Sequence, residues 1–149
     1  MSTDRRELTI LAFWDAIKTI PDVTHIRNLD RELDREEYPA MNLMDGAEQP
    51  DRSLSMMGIR VLNMAVSVEI YVRTDGPNVG PALNEALAKL KAAVFTDFTL
   101  GGLAWRVDYE GMDDPVMSTE GSGDIPRASA EVGFIIVRQE AELDPYSHG

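Results

Sequence analysis

The sequence predicts an α+β domain in which two helices pack on one face of a mostly antiparallel sheet. The first observation is the stretch from Ile59 to Arg73, in which every second residue is apolar. Such alternation predicts a strand with one buried face. The second is the stretch from Val79 to Val94, whose apolar residues recur at helical spacing. The third is the order of elements, a helix, two or three strands, a helix and two strands, which favours helices on one side of a sheet.

The composition limits the functions that the chain can have. Its 149 residues fit one domain spanning 1–149, in which 140–149 is expected to be a loose tail. The chain has no cysteine, and its 26 acidic and 14 basic residues give a net charge of −12. The absence of cysteine excludes a disulfide framework, thiol chemistry and a cysteine-based metal site. The charge disfavours a protein that binds nucleic acid or acidic membranes through basic patches.

The first part of the chain predicts a helix and two strands. The helix runs from residue 3 to about 20, begins at Thr3 or Asp4 and ends before Pro21. Its apolar stripe is Leu8, Leu11, Trp14 or Ile10, Ile17 and Ile20. The N-terminal stretch has the pattern of neither a signal peptide nor a membrane span. A short strand over 23–29, a solvated charged loop over 30–37 and a strand over 38–44 follow, with Pro39 at the start or on an edge. Residues 45–58 are then expected to form a long loop.

The central strand, Ile59 to Arg73, is the segment on which the core is expected to form. Burying its alternate apolar side chains contributes roughly 9–18 kcal/mol as an upper bound. Those side chains are Leu62, Met64, Val66, Val68, Ile70 and Val72. The strand would span roughly 50 Å, whereas a domain of this size is about 40 Å across. It must therefore bend or project, and its exposed backbone then requires partners, which suggests assembly.

The second part predicts a helix and two more strands. Asn78 can cap the helix and Pro81 lies in its first turn. Its apolar stripe is Val79, Leu83, Leu87 or Ala86, Leu90 and Val94, and Glu85 and Lys89 form an outward pair. Gly101-Gly102 predicts a tight turn before a strand over 104–110. A long loop over 111–127 and a last strand over 128–139 follow, with Ala130, Val132, Phe134 and Ile136 on one side.

No residue set in the sequence indicates catalysis or a cofactor. His25 and His148 have no apparent partner, and no Gly-x-Ser-x-Gly elbow is present. Asp113 and Asp114 precede Pro115 in a turn, where acidic residues are ordinary. We therefore expect a scaffold protein, not an enzyme, with no metal and no cofactor.

In the order and spacing of its elements, the chain resembles the tail terminator proteins of long-tailed bacteriophages, the lambda-like minor tail protein U group. The first features that carry the resemblance are the N-terminal helix with its charged stretch and the Tyr38-Pro39-Ala40-Met41-Asn42-Leu43 strand followed by Asp45-Gly46-Ala47-Glu48. The others are the strand 59–73 leading into an amphipathic helix, and the pair 103–110 and 128–138 separated by an acidic, glycine-containing loop. The resemblance covers about residues 5 to 140.

The resemblance implies a homohexameric ring on the head-proximal end of a tail tube, in a virion assembled in the host cytoplasm. Such a ring ends tube polymerisation and presents the surface that docks to the head. Its partners are its own copies, the tail-tube protein and a head-completion or neck protein. DNA passes through the ring without specific binding, and no membrane is involved. Two alternatives are a neck or head–tail adaptor protein of the same assembly and an acidic inhibitor that mimics DNA, although Lys89 and Lys91 count against the second.

Two groups of residues are candidates for the sites of such a ring. Met56, Met57, Met112 and Met117 flank or lie in the two long loops, and methionine adapts to irregular contact surfaces. They are candidates for the contact with neighbouring or tube subunits, the alternative being that they cap the core. Candidates for an acidic channel lining are Glu69, Asp113, Asp114, Glu120 and Asp124. The alternative for the acids is surface charge that maintains solubility.

Overall fold

The computed structural model describes residues 4–29, 31, 33–74, 76, 78–118 and 126–141. Its elements are α1 (Arg5–Lys18), β1 (Thr24–Arg27), β2 (Ala40–Pro50), β3 (Ile59–Arg73), α2 (Gly80–Phe95), β4 (Arg106–Met112), β5 (Val116–Ser118) and β6 (Arg127–Ala141), with a 3-10 turn at Arg35–Glu37. The α+β class is confirmed: two helices lie on one side of a mostly antiparallel six-stranded sheet. No helix in the described part of the chain is long and apolar enough to cross a membrane.

The sheet has the strand order β1-β2-β3-β6-β4, with β5 also paired to β6. Only β1 and β2 run parallel; the other pairs are antiparallel. β3 has the predicted bounds and pairs with β6 over its whole length and with β2 from Leu62 to Tyr71. The prediction that its exposed backbone requires partners outside the chain is therefore wrong, because β2 and β6 are long enough to pair with it.

The core lies between the helices and one face of the sheet. The six predicted side chains of β3 are at most 5% exposed, which confirms the alternation. β6 contributes Val132, Phe134 and Ile136 to the same face, and the rings of Phe134 and Phe13 of α1 meet edge to face at 5.5 Å. The stripe of α2 is also confirmed, since Val79, Leu83, Leu90 and Val94 are buried. Val61 and Val137 are buried on the opposite face.

The buried face of α1 is only partly the predicted one: Ile10, Ile17 and the following Ile20 are buried. Asp4 caps the helix, since its Oδ1 accepts a hydrogen bond from the backbone N of Arg6 at 2.6 Å. Leu8 and Leu11 are 39% and 36% exposed, and Trp14 is only partly buried. The buried residues of the helix are Thr9, Ile10, Phe13 and Ile17. The segment offers apolar residues on two overlapping faces, and the contact of Phe13 with the sheet selects between them.

Two predicted loops contain strands. β2 continues to Pro50 through part of the expected loop, with a bulge between Asp45 and Glu48. The bulge interrupts the alternation that marks a strand, so the sequence indicated a loop. Pro39 directly precedes β2, as predicted. In the expected loop 111–127, β4 extends to Met112 and β5 pairs with the start of β6.

Smaller differences concern the ends of elements. β4 begins at Arg106, two residues later than predicted, after a turn in which Gly101 and Gly102 both have positive φ. Asn78 lies one residue before the N-cap Val79, and its Oδ1 accepts from the backbone N of Gly80 at 2.9 Å. Glu140 and Ala141, predicted to be in the tail, belong to β6, and the remaining tail lies outside the described residues.

Candidate assembly surfaces

The tip of the β2–β3 hairpin presents apolar side chains to solvent. Met57 is 99% exposed, Met56 is 58% exposed and Leu54 is 37% exposed. The tip is nevertheless ordered by short hydrogen bonds. The Asp51 carboxylate accepts from the Ser53 hydroxyl at 2.6 Å, and this bond lowers the pKa of Asp51. Met56 and Ile59 exchange two backbone hydrogen bonds of 3.1 and 2.9 Å. The chain therefore holds two methionines outside its own core.

The other two candidate methionines lie far from the hairpin tip. Met112 ends β4 and is partly buried against the core, whereas Met117 of β5 is 58% exposed. Met117 pairs with Ala128, at the start of β6, while Ile59 beside the hairpin tip pairs with Ala141, at its end. The structure thus divides the four methionines between opposite ends of the sheet and does not form one patch from them.

The face of the sheet that points away from the helices carries several acids. Glu69 of β3 lies directly opposite Glu131 of β6, and the backbone N of Asp113 donates to the carbonyl oxygen of Glu131 at 2.9 Å. Asp114 is exposed next to Asp113, and the Cβ of Glu110 lies close to Gly133. The structure therefore brings three of the candidate channel residues near one another. Glu120 and Asp124 lie outside the described residues.

Glu110 and Glu131 were missed because strand register is not visible in the sequence. The alternation of the last strand did place Glu131 on the face opposite to Ala130 and Val132. That signal identifies the face but not the neighbour, and only the pairing of β6 with β3 puts Glu131 opposite Glu69. The position of Glu110 depends on the bulge between Tyr109 and Gly111.

This face, which carries Glu69, Glu131 and Gly133, is termed the open face. Some of its charged groups have hydrogen-bond partners, and others face groups of like charge. Glu69 accepts from the Nδ2 of the buried Asn42 at 2.8 Å. Burial raises the pKa of the Tyr71 hydroxyl, and the Glu69 carboxylate raises it further. Like charges directly opposite in a sheet repel one another, as Glu69 and Glu131 do here. Arg73 lies opposite Arg127 at one end, so the face is acidic in its middle and basic at that end.

A shallow groove of about 380 Å³ crosses the open face. Its floor is made of small residues, including Ala65, Ser67 and Gly133, and Glu110 and Glu131 border it. Within the described part of the chain, no group of three or more His, Asp or Glu side chains could hold a metal ion. The groove therefore offers an acidic surface to solvent.

A charge network joins α1 to the sheet. Arg27 of β1 donates to both carboxylate oxygens of Glu7 at 2.8 Å and to Asp45 at 2.7 and 3.1 Å. These hydrogen bonds lower the pKa of Glu7 and of Asp45 and raise that of Arg27. A second link is Glu48 of β2, whose carboxylate lies 3.9 Å from the Arg6 guanidinium of α1 and accepts a 2.8 Å hydrogen bond from the buried Arg138 of β6. Neither link can be predicted from the sequence, because ion pairs between distant residues leave no periodic pattern.

Comparisons with known proteins give a likeness to a solved structure. No protein-family model matches the chain, and no curated protein sequence matches it. Among solved structures, the chain is similar to the sheath/tube terminator of an extracellular contractile injection system, PVC, in its extended state, solved by cryo-electron microscopy. The TM-score is 0.51 at 13% identity, and the match covers 95% of this chain and 59% of that one. The chain thus spans less than two thirds of that protein, and the likeness is one of fold.

Proposed function

We propose that the chain is a structural tail protein that terminates a tail tube. The observation that carries this proposal is the fold shared with a sheath/tube terminator over 95% of the chain. The order and spacing of the elements in the sequence resemble the same class of protein. The neighbour is a structural component, and this supports an assembly role over catalysis.

More specifically, we propose that six copies of the chain form a ring on the head-proximal end of the tail tube in a bacteriophage virion. The ring would stop further addition of tube subunits and dock a head-completion or neck protein. Each chain has two different surfaces at opposite ends of its sheet, one at the hairpin tip and one at Met117. A contact between two different surfaces of identical chains closes into a ring when the rotation between them permits it.

The hairpin tip is the proposed contact with tube or neighbouring subunits. An ordered turn holds Met56 and Met57 outward, so that their apolar side chains are exposed to solvent. Contact with another subunit would bury this apolar surface. Methionine side chains adapt to irregular surfaces. Met117 is exposed at the other end of the sheet and is proposed for a second contact, whereas the burial of Met112 favours a role in the core.

The open face is the proposed lining of the channel through which DNA passes. DNA carries one negative charge per roughly 1.7 Å of axis, and basic residues would hold it by counterion release. Acids facing the channel would instead keep the DNA mobile. The residues proposed for this lining are Glu69, Glu110, Asp113, Asp114, Glu120, Glu131 and Asp124.

The first prediction tests termination directly. Tube subunits that are elongating in solution should stop when the purified chain is added, and electron microscopy should show short tubes with one capped end. The variant carrying Met56→Ser and Met57→Ser should keep its melting temperature, because both side chains are exposed, but should cap fewer tubes.

Four results would contradict the proposal or favour an alternative. Unchanged tube lengths with a folded chain would contradict termination. Binding to a neck or portal protein without binding to tubes would favour the adaptor alternative. Capture of DNA-binding enzymes in place of tube subunits would favour the DNA mimic. A large fall in the melting temperature of the double variant would instead indicate that the methionines stabilise the core.

A further inference from the structure

One edge of the sheet is long and unpaired. β4 and β5 follow one another along the same side of β6, from Val137 to Arg127. Within the described residues no strand pairs with the outer side of β4. Its seven residues extend over roughly 23 Å. At the other edge, β1 is only four residues long.

The first part of this edge has little of the usual protection against strand addition, although Lys91 of α2 lies 4.2 Å from the ring centroid of Tyr109. Natural edges are blunted by lysine, proline, bulges or a covering element. β4 contains neither lysine nor proline, and its bulge begins after Tyr109, so the segment from Arg106 to Tyr109 remains regular. Large apolar side chains border the edge: Phe95, Phe98, Trp105, Tyr109, Val116 and Met117, each between 38% and 67% exposed.

The two sides of the edge differ in chemistry. Tyr109 points to the helix side, where its ring and that of Phe95 both contact Phe134, at 5.9 and 6.2 Å. Glu110 lines the groove on the open face. An extended peptide beside β4 would send alternate side chains to these two sides. Its residues on the helix side would meet aromatic rings, and those on the open face would meet carboxylates.

The charge of the edge selects a basic partner. Glu110, Asp113 and Asp114 are exposed and make no ion pair within the described structure. Arg106 is already paired with Asp108 at 3.0 Å.

We propose that the edge formed by β4 and β5 binds an extended segment of a partner protein as an added strand, and that lysine or arginine alternates with apolar residues in that segment. Main-chain hydrogen bonds to β4 would supply affinity, and the aromatic and acidic sides would supply specificity. The proposed partner is defined by its chemistry and does not depend on the role of the chain in terminating a tube.

The second prediction tests strand addition with synthetic peptides and the full chain. A nine-residue peptide alternating valine with lysine should bind at low salt and change the fluorescence of the exposed Trp105. Two further versions of this peptide are methylated on alternate backbone nitrogens, one version for each of the two possible sets. One of the two should bind at least about tenfold more weakly, because its methylated nitrogens cannot donate hydrogen bonds to β4. A peptide alternating valine with glutamate should not bind.

A matched pair of variants tests the acidic side. Glu110→Lys, Asp113→Lys and Asp114→Lys together should abolish the binding. Asp15→Lys, Glu36→Lys and Glu85→Lys together make the same change in net charge at exposed positions elsewhere and should weaken it much less. Circular dichroism checks that both variants fold.

Several outcomes would overturn the inference. They are no binding at low salt, equal binding of every methylated peptide, or equal losses in the two variants. Tube elongation is measured separately, so loss of peptide binding with normal capping would overturn this inference and leave the proposed function standing.

Discussion

A side chain at position 46 would collide with the neighbouring strand. Gly46 lies in the bulge of β2, and a Cβ there would overlap the carbonyl oxygen of Ala65 on β3. Its own carbonyl oxygen accepts a hydrogen bond from Arg6 at 2.6 Å. The position therefore joins the hairpin to the first turn of α1, and only glycine fits without movement of the backbone.

The third prediction concerns this glycine. Gly46→Ala should lower the free energy of unfolding by about 1–3 kcal/mol, because the obstructing atom belongs to the backbone and cannot rotate away. Gly133→Ala is the matched control, since its Cβ would meet the Cβ of Glu110 at 3.4 Å and the carbonyl oxygen of Gly111 at 4.0 Å, both ordinary contacts. Urea denaturation followed by circular dichroism compares the two. Equal losses would show that the bulge adjusts to a methyl group.

At the scale of elements, α1 is attached to the sheet by charge as well as by its apolar face. Arg27 lies between Glu7 of the helix and Asp45 of β2. Both carboxyl groups have lowered pKa values in the folded chain, with the hydrogen bonds to Arg27 as the main cause. Their contribution to stability is therefore fully present above the unfolded pKa values of about 4 and is lost as the pH falls through the lowered values.

The fourth prediction tests this attachment. Arg27→Gln should lower the free energy of unfolding at pH 7 by about 1 kcal/mol, a small value because the groups are partly exposed to solvent. The difference from the unmodified chain should shrink as the pH is lowered towards 2. Arg106→Gln removes an exposed pair with Asp108 and should have little effect at either pH. A constant difference across the pH range would contradict the role of Glu7 and Asp45.

The elements also show which features the sequence reveals. β3, α2 and β6 were predicted well because one face of each is regularly apolar and nothing interrupts the period. The buried face of α1 was not, since its apolar residues lie on two overlapping faces and Phe134, distant in sequence, decides between them. The end of β2 was hidden by a bulge. Of the open face, Glu69 and Asp113 could be proposed from the sequence, whereas Glu131 required the register.

At the scale of the whole molecule, charge works against assembly. Each chain carries −12, so free copies repel one another and a ring should be favoured by tube ends or by salt. The acids of the open face add to this repulsion, because the middle of that face has no basic residue opposite Glu69 or Glu131. If the acids served solubility alone, they could lie on any surface. Their grouping on one face of the sheet is what the channel proposal explains.

The last prediction concerns DNA passage and rests on the ring. In particles carrying Glu131→Lys, the tail should still assemble, because this side chain is exposed and makes no ion pair within the described structure. Genome ejection should slow, and more so at low salt, because the ring of lysines in the channel would hold the phosphates. The control carries Glu85→Lys, at an exposed position outside the proposed lining. Ejection followed by dye fluorescence compares the two. An unchanged rate in particles with a lysine-bearing open face would show that its acidity has no part in DNA passage.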